Sequence, residues 1–258
     1  MHDIITSTKK EIPSLDRILD EALEHLNPDT KEIKNEFSKV LVAVDNVATD
    51  IFRGYEKRAL ISLAKKWLES QKGEVKERLE RIISVKGWEN FIEEASKLFV
   101  EFGVLVQELE KIMGNMRKAR GGKTFEKMIY KLLKLSDISC EIPGRKAKEG
   151  LGRIDLVVPS VETALNTPDR AFFLTCKRTL RERWKQEVPQ ARLNQRIYLI
   201  TIDSELSESK AKEINEKGFI AFVPDEVKKR KELMDMHWIR CLSNLPGELK
   251  FYETNQSL

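Results

Sequence analysis

Gly152-Arg153-Ile154-Asp155-Leu156-Val157-Val158-Pro159 and Ala171-Phe172-Phe173-Leu174-Thr175-Cys176-Lys177 are the two stretches on which the reading of this chain turns. Each is a short apolar run rich in β-branched or aromatic residues and bounded by turn-forming or charged positions, the pattern of a buried strand. Each also carries a charge at one end. Asp155 opens the first run, and Lys177, 22 residues further on, closes the second. Strand interiors exclude unpaired charge. Either each residue merely ends its strand and meets water, or the two side chains converge at one edge of a sheet. Convergence gives them a shared chemistry. An aspartate is a hard oxygen ligand for Mg2+, a bound metal polarises a phosphate and acidifies an attacking water, and a lysine stabilises the charge that develops. The pair therefore suits metal-assisted phosphodiester hydrolysis.

Outward from these runs, further apolar segments at residues 140–142, 197–202 and 219–223 predict three more strands. Helical spacing at 123–135 puts Phe125, Ile129, Leu132 and Leu133 on one side, and a second helix is expected over 205–217. An Arg- and Glu-rich helix is expected between Lys177 and residue 197. The order helix, three strands, helix, strand, helix, strand describes an α/β domain with a mixed central sheet flanked by helices. Upstream the period changes. Leu15, Ile18, Leu19, Ala22 and Leu23 follow helical spacing, as do Phe37, Val40, Leu41, Val44 and Val47. So do Phe91, Ala95, Leu98, Phe99, Phe102, Leu105 and Leu109. Gly73 and Val85-Lys86-Gly87 read as breaks, and the character shifts after Gly114. Residues 1–111 are thus expected to form an all-helical N-terminal region, and residues 112–258 the α/β core.

Composition narrows the function classes. The chain of 258 residues carries 46 basic and 42 acidic side chains, a net charge of +4, which by itself says little about partners. Its distribution says more. Residues 111–123 hold Lys111, Arg117, Lys118, Arg120 and Lys123 without an acid, and residues 177–185 hold Lys177, Arg178, Arg181, Arg183 and Lys185 against Glu182 alone. Two basic clusters flanking a candidate site suit phosphate contacts. Cys140, Cys176 and Cys241 are far apart and have no zinc spacing, so they are expected to be reduced and mostly buried. His2, His25 and His237 are scattered, which leaves little for a histidine-based nuclease or a catalytic triad. No apolar run of membrane-spanning length and no secretory signal is evident, so a cytoplasmic protein with no membrane partner is expected. Gly122-Lys123-Thr124 imitates the tail of a phosphate-binding loop, but Arg117 stands where that loop needs glycine. Trp184 reads as a residue packing its helix on the sheet rather than as a base-stacking platform.

Two longer segments carry a resemblance. Lys177-Arg178-Thr179-Leu180-Arg181-Glu182-Arg183-Trp184-Lys185-Gln186 and Arg117-Lys118-Ala119-Arg120-Gly121-Gly122-Lys123-Thr124-Phe125-Glu126 resemble type II restriction enzymes of the PD-(D/E)xK superfamily. The group is that of the EcoRII catalytic domain, SsoII and PspGI. The resemblance covers residues from about 114 to 200 and implies a restriction-endonuclease-like core. It implies Glu126 as a helix-borne active-site carboxylate, Asp155 as a metal ligand, and Lys177 as the catalytic lysine. The cofactor expected is Mg2+, held by Asp155 and Glu126 with the backbone carbonyl of Cys176. Thr175 stands in place of the acid of the (D/E)xK element. Thirteen residues after Lys177, where this group usually carries a relocated acid, stands Gln190, a carbonyl donor without charge. Glu187, about one helical turn earlier, is the alternative, with Pro189 between the two. Arg117 matches an arginine implicated in reading guanine, as a bidentate contact to O6 and N7 allows. Arg120, Lys123, Arg178, Arg181 and Arg183 are the further candidate DNA contacts.

The implied function is cleavage of double-stranded DNA at a short palindrome with paired G and C bases, GGNCC- or CCNGG-like. A homodimer is expected, one active site per strand, with a cognate DNA methyltransferase in the same system. Two rivals stay open: a structure-specific repair or junction nuclease, and a non-catalytic DNA-binding protein on the same fold. Gln190 is the feature that favours the second.

Overall fold

The computed structural model describes residues 2–70, 73, 76–77, 80–81, 87–180 and 196–255. Helices fill the first half: α1 (His2–Lys9), α2 (Leu15–Leu26), α3 (Thr30–Asn35), α4 (Phe37–Ser70) and α5 (Gly87–Ala119). A π-helical turn, Arg120–Thr124, leads into α6 (Phe125–Leu135). Then come α7 (Arg145–Leu151), β1 (Leu156–Val158), α8 (Val161–Asn166), β2 (Phe172–Cys176), β3 (Arg196–Ile200), α9 (Glu208–Glu216), β4 (Ile220–Val223), α10 (Asp225–Lys228), β5 (Ile239–Cys241) and α11 (Leu245–Asn255). The expected periodicities at 15–23, 37–47 and 91–109 each lie within a helix. Gly114 does not break α5, and the change of character falls instead at the glycine pair Gly121–Gly122 in the π turn.

The described residues cluster into two compact units. One comprises Met1–Ile18 and Thr49–Ala119, the other Leu19–Ala48 and Arg120–Leu258. The line between them is therefore not a single cut at 111/112. Leu19–Ala48 groups with the sheet, because Ile33, Phe37, Leu41 and Val44 are fully buried apolar residues and polar contacts add to that grouping. Lys34 meets Asp137 at 2.9 Å, Lys131 pairs with Asp20, and Ser38 Oγ accepts from the Asp225 backbone.

Within the first unit Leu63, Leu98, Leu105, Leu109 and Met113 are buried, and the rings of Trp67 and Phe102 lie 5.3 Å apart. Lys66 closes on Glu11 at 2.5 Å. Phe99, expected on the apolar side of α5, is 74% exposed.

The second unit is built on a five-stranded sheet in the order β1-β2-β3-β4-β5. β1 runs antiparallel to β2, and β2, β3, β4 and β5 are mutually parallel, so the sheet is mixed as expected. All five residues of β2 are buried. That is why the strand reads as an unbroken apolar run rather than an alternating one. Successive side chains still leave on opposite faces. Phe173, Leu199 and Ala221 enter a core with Ile214, Phe219 and Leu206. On the other face Phe172, Tyr198 and Phe222 form a ladder of rings about 5.0 Å apart. Two expectations are corrected. Residues 140–142 contribute only the isolated bridge of Glu141 to Val157, not a strand. The three-strand run is interrupted by α7 and α8, too short to give a clear helical period.

Candidate active site

Asp155 sits one residue before β1 and is 8% exposed. Its backbone N–H donates to the Leu174 carbonyl at 3.0 Å, which carries the antiparallel ladder one step past the strand. Its Oδ2 accepts from the Cys176 N–H at 2.8 Å and from the Thr175 hydroxyl at 3.3 Å. The carboxylate is thereby fixed against the C-terminal end of β2. Thr175, the residue in the place of the motif's acid, is fully buried and supports Asp155 by hydrogen bonding. Lys177 follows directly, half-buried, with its N–H donating to the Ile200 carbonyl at 2.9 Å. The end of the second apolar run is thus held from both neighbouring strands.

Glu126 reaches the same place from the first turn of α6, on the polar side of a helix whose other side buries Phe125, Met128, Ile129, Leu132 and Leu133. Burial first, and the negative charge of Asp155 second, push its carboxyl above the usual range; Lys148 and Lys177 pull the other way. One titrating group that feels both Asp155 and Lys177 brings the three expected residues into one site. The Cys176 thiol is pushed well up, chiefly by burial and then by Asp155 and Glu126, so it stays protonated and is no nucleophile.

Two mutually repelling carboxylates with hard oxygen donors fit a divalent cation, which removes their repulsion. Among the described residues no group of three or more His, Cys, Asp or Glu side chains is placed to hold a metal. A donor set of two carboxylates, Asp155 and Glu126, suits Mg2+, which commonly keeps several waters and takes only one or two protein carboxylates. The Cys176 carbonyl belongs to the same strand end.

The remaining expected residues fall elsewhere. Arg181, Arg183, Glu187 and Gln190, with Trp184, lie outside the described residues. Arg120 and Lys123 are in the π turn, and Lys123 is exposed. Arg117 is engaged with acids: its Nε donates to Glu56 at 2.6 Å and an Nη to both oxygens of Glu110 at 3.1 Å. Those two partners raise its already high pKa. Arg178 is held by Asp45, Nε to Oδ1 at 2.9 Å and Nη2 to Oδ2 at 2.5 Å. Two residues near the site were not singled out from sequence. Asp203 follows the apolar run of β3, the same signal that marks Lys177. Asp45 is a lone acid inside an apolar helical pattern.

A family model described as EcoRII C terminal matches residues 75–245, more than half of the chain and including Glu126, Asp155 and Lys177. The type II restriction enzyme SsoII of Shigella sonnei is 30% identical over 119 residues, covering 42% of this chain. That match spans 38% of the relative's own length. Among solved structures, metal-depleted Ecl18kI in complex with uncleaved DNA gives a TM-score of 0.76 at 18% identity, covering 98% of this chain and 85% of that one. A complex of the restriction endonuclease PspGI with substrate DNA gives 0.65 at 20% identity, covering 96% of each chain. These two likenesses establish the fold.

Proposed function

The chain belongs to the EcoRII C-terminal family, and from that premise we propose that it is a Mg2+-dependent type II restriction endonuclease. The observation that carries the reading is the convergence of Asp155, Glu126 and Lys177 at the end of β2, with Asp155 clamped by the Cys176 N–H. The nuclease core is residues 112–258, of which Arg120–Leu258 cluster with Leu19–Ala48 in one compact unit.

In this reading Asp155 and Glu126 hold the cation, with the Cys176 carbonyl beside them. When bound, the metal supplies Lewis-acid polarisation of the scissile phosphate and acidification of a water. The protein's own groups do the rest. Asp155 is prevented from rotating by two hydrogen bonds on one oxygen. Lys177 sets a positive charge where negative charge builds on the phosphate, which is where preorganised electrostatics count most. Thr175 keeps the motif's first position neutral and leaves the second carboxylate to come from Glu126. Gln190, with Glu187 as the alternative, takes the part of the relocated acid that this group usually carries after its catalytic lysine.

Double-stranded DNA is the substrate, approached through Arg120, Lys123, Arg181 and Arg183. Arg117 reads guanine, for which it must exchange Glu110 for the base. The target is a GGNCC- or CCNGG-like palindrome, met by a homodimer with one site per strand. A methyltransferase protects the same sequence, and the protein works in the cytoplasm; no helix among the described residues is long and apolar enough to cross a membrane. Incubating the protein with plasmid DNA, with and without Mg2+, tests the reading. Discrete linear fragments that appear only with the metal support it. A ladder or smear without discrete bands supports a structure-specific nuclease instead, and binding without cutting supports a non-catalytic DNA-binding protein.

A further inference from the structure

Lys177, Arg178, Thr179 and Leu180, the residues after β2, have no regular secondary structure, yet Lys177, Arg178 and Leu180 are tied down. Lys177 donates its N–H to Ile200. Arg178 gives its guanidinium to Asp45 and its carbonyl to the Thr201 hydroxyl, 3.3 Å away. The Leu180 N–H donates to Asp203 Oδ2 at 2.7 Å, and the Leu180 carbonyl accepts from Lys210 Nζ at 2.8 Å. Asp203 is itself braced, its Oδ1 accepting from the Glu205 N–H at 2.9 Å and its own N–H reaching the Thr201 hydroxyl at 3.0 Å. Asp45 is 6% exposed and Asp203 8%, so neither acid is a surface charge that happens to find a partner.

Arg178 and Lys177 also face different spaces. A groove of about 730 Å³ is lined by Val42, Asp45, Arg178, Asp203, Lys210 and Glu226 among others, and by none of Lys177, Asp155 and Glu126. Lys177 acts instead on the Glu126 carboxyl, while the guanidinium of the residue next to it is held by Asp45.

We propose that Asp45 and Arg178 form a positioning pair for the catalytic lysine, and that Arg178 is not a DNA contact despite its place in a basic cluster. The pair aims Lys177 by fixing the residue next to it, with Asp203 holding the far end of the same segment. A bidentate arginine–carboxylate contact suits this role, since its two parallel bonds fix orientation as well as distance. A displacement of about 1 Å at a reacting group costs on the order of a hundredfold in rate.

This inference rests on the nuclease reading, and its test separates the two. Asp45→Asn, Asp45→Ala, Arg178→Ala and the double variant Asp45→Ala/Arg178→Ala are compared with wild type. Measured are single-turnover cleavage rate, DNA affinity without metal, the salt dependence of that affinity, and thermal melting. A positioning pair gives a rate loss of roughly tenfold to a hundredfold for either alanine variant. DNA affinity and its salt slope stay unchanged, and the double variant is no slower than the singles. Asp45→Asn, which keeps one acceptor, falls between. A DNA contact gives another pattern. Arg178→Ala then loses affinity and flattens the salt slope by about one, while Asp45→Ala, which releases the arginine, binds DNA as well as wild type or better. That pattern overturns the proposal, as does a wild-type cutting rate in folded Asp45→Ala. If the alanine variants melt early, Asp45→Asn and Arg178→Lys carry the same comparison in folded protein. Absence of cutting by wild type would overturn the nuclease reading, and the affinity and salt measurements would still decide the role of Arg178.

Discussion

Asp155 and Lys177 are each defined by standing at the end of an apolar strand, and the hydrogen bonds on Asp155 Oδ2 explain why that carboxylate does not drift into water. Asp155→Ala or Lys177→Ala is expected to slow cleavage by roughly a hundredfold or more while the variant still melts cooperatively and binds DNA; near wild-type cutting by either would place the chemistry elsewhere. Glu126 makes a separate prediction. Its folded-state pKa is raised, so between the ordinary carboxylate value and the raised one the folded chain holds more protons than the unfolded chain. Metal-free stability therefore falls as pH rises through that window. Glu126→Gln removes the repulsion from Asp155 and should melt higher than wild type at neutral pH without metal, the difference vanishing in acid. Added Mg2+ should then raise the melting temperature of wild type more than that of the variant. A lower melting point for metal-free Glu126→Gln would contradict this electrostatic picture. Arg117→Ala should weaken binding to the cognate site by about 1–3 kcal/mol and barely alter binding to a scrambled duplex. Equal losses in a competition assay would mean that Arg117 only positions the backbone. At this scale Asp155 and Lys177 were legible as charges at the ends of apolar runs, and Glu126 only through the resemblance of the segment that bears it. The Asp45–Arg178 pair was not, because 133 residues separate its members and only the folded chain brings them together.

At the scale of elements, legibility followed burial. β2, residues 197–200 of β3 and residues 221–223 of β4 are buried and appear in the sequence as continuous apolar runs. β5 has only Ile239 fully buried, with Arg240 and Cys241 partly exposed, so its three residues carry no such signal. Gly114 suggested a boundary, but an interior glycine costs a helix only about 1 kcal/mol relative to alanine, and α5 passes through it. The real irregularity is the π turn Arg120–Thr124, which precedes the helix bearing Glu126. Its last residue, Thr124, is 4% exposed, and its hydroxyl has no hydrogen-bond partner among the described residues. A buried hydroxyl without a partner costs on the order of 1 kcal/mol or more. Thr124→Val, nearly the same shape without the hydroxyl, is expected to raise the melting temperature with cleavage unchanged. A clear loss of stability would show that the hydroxyl is satisfied.

For the whole molecule, the sequence pattern identified a helical half and an α/β half, and both are present. It did not reveal that Leu19–Ala48 groups with the sheet, because that grouping depends on contacts across the chain rather than on local period. A net charge of +4 does not mark the protein as a DNA binder; the family match and the carboxylate–lysine site motivate the nuclease account. That account is tested most directly by digesting a long DNA of known sequence with the purified protein in Mg2+ and sequencing the ends produced. The account predicts double-strand breaks at one short G- and C-containing palindrome, with none in the absence of metal or with Lys177→Ala. Ends scattered without a shared sequence, or cutting that survives Lys177→Ala, would contradict it.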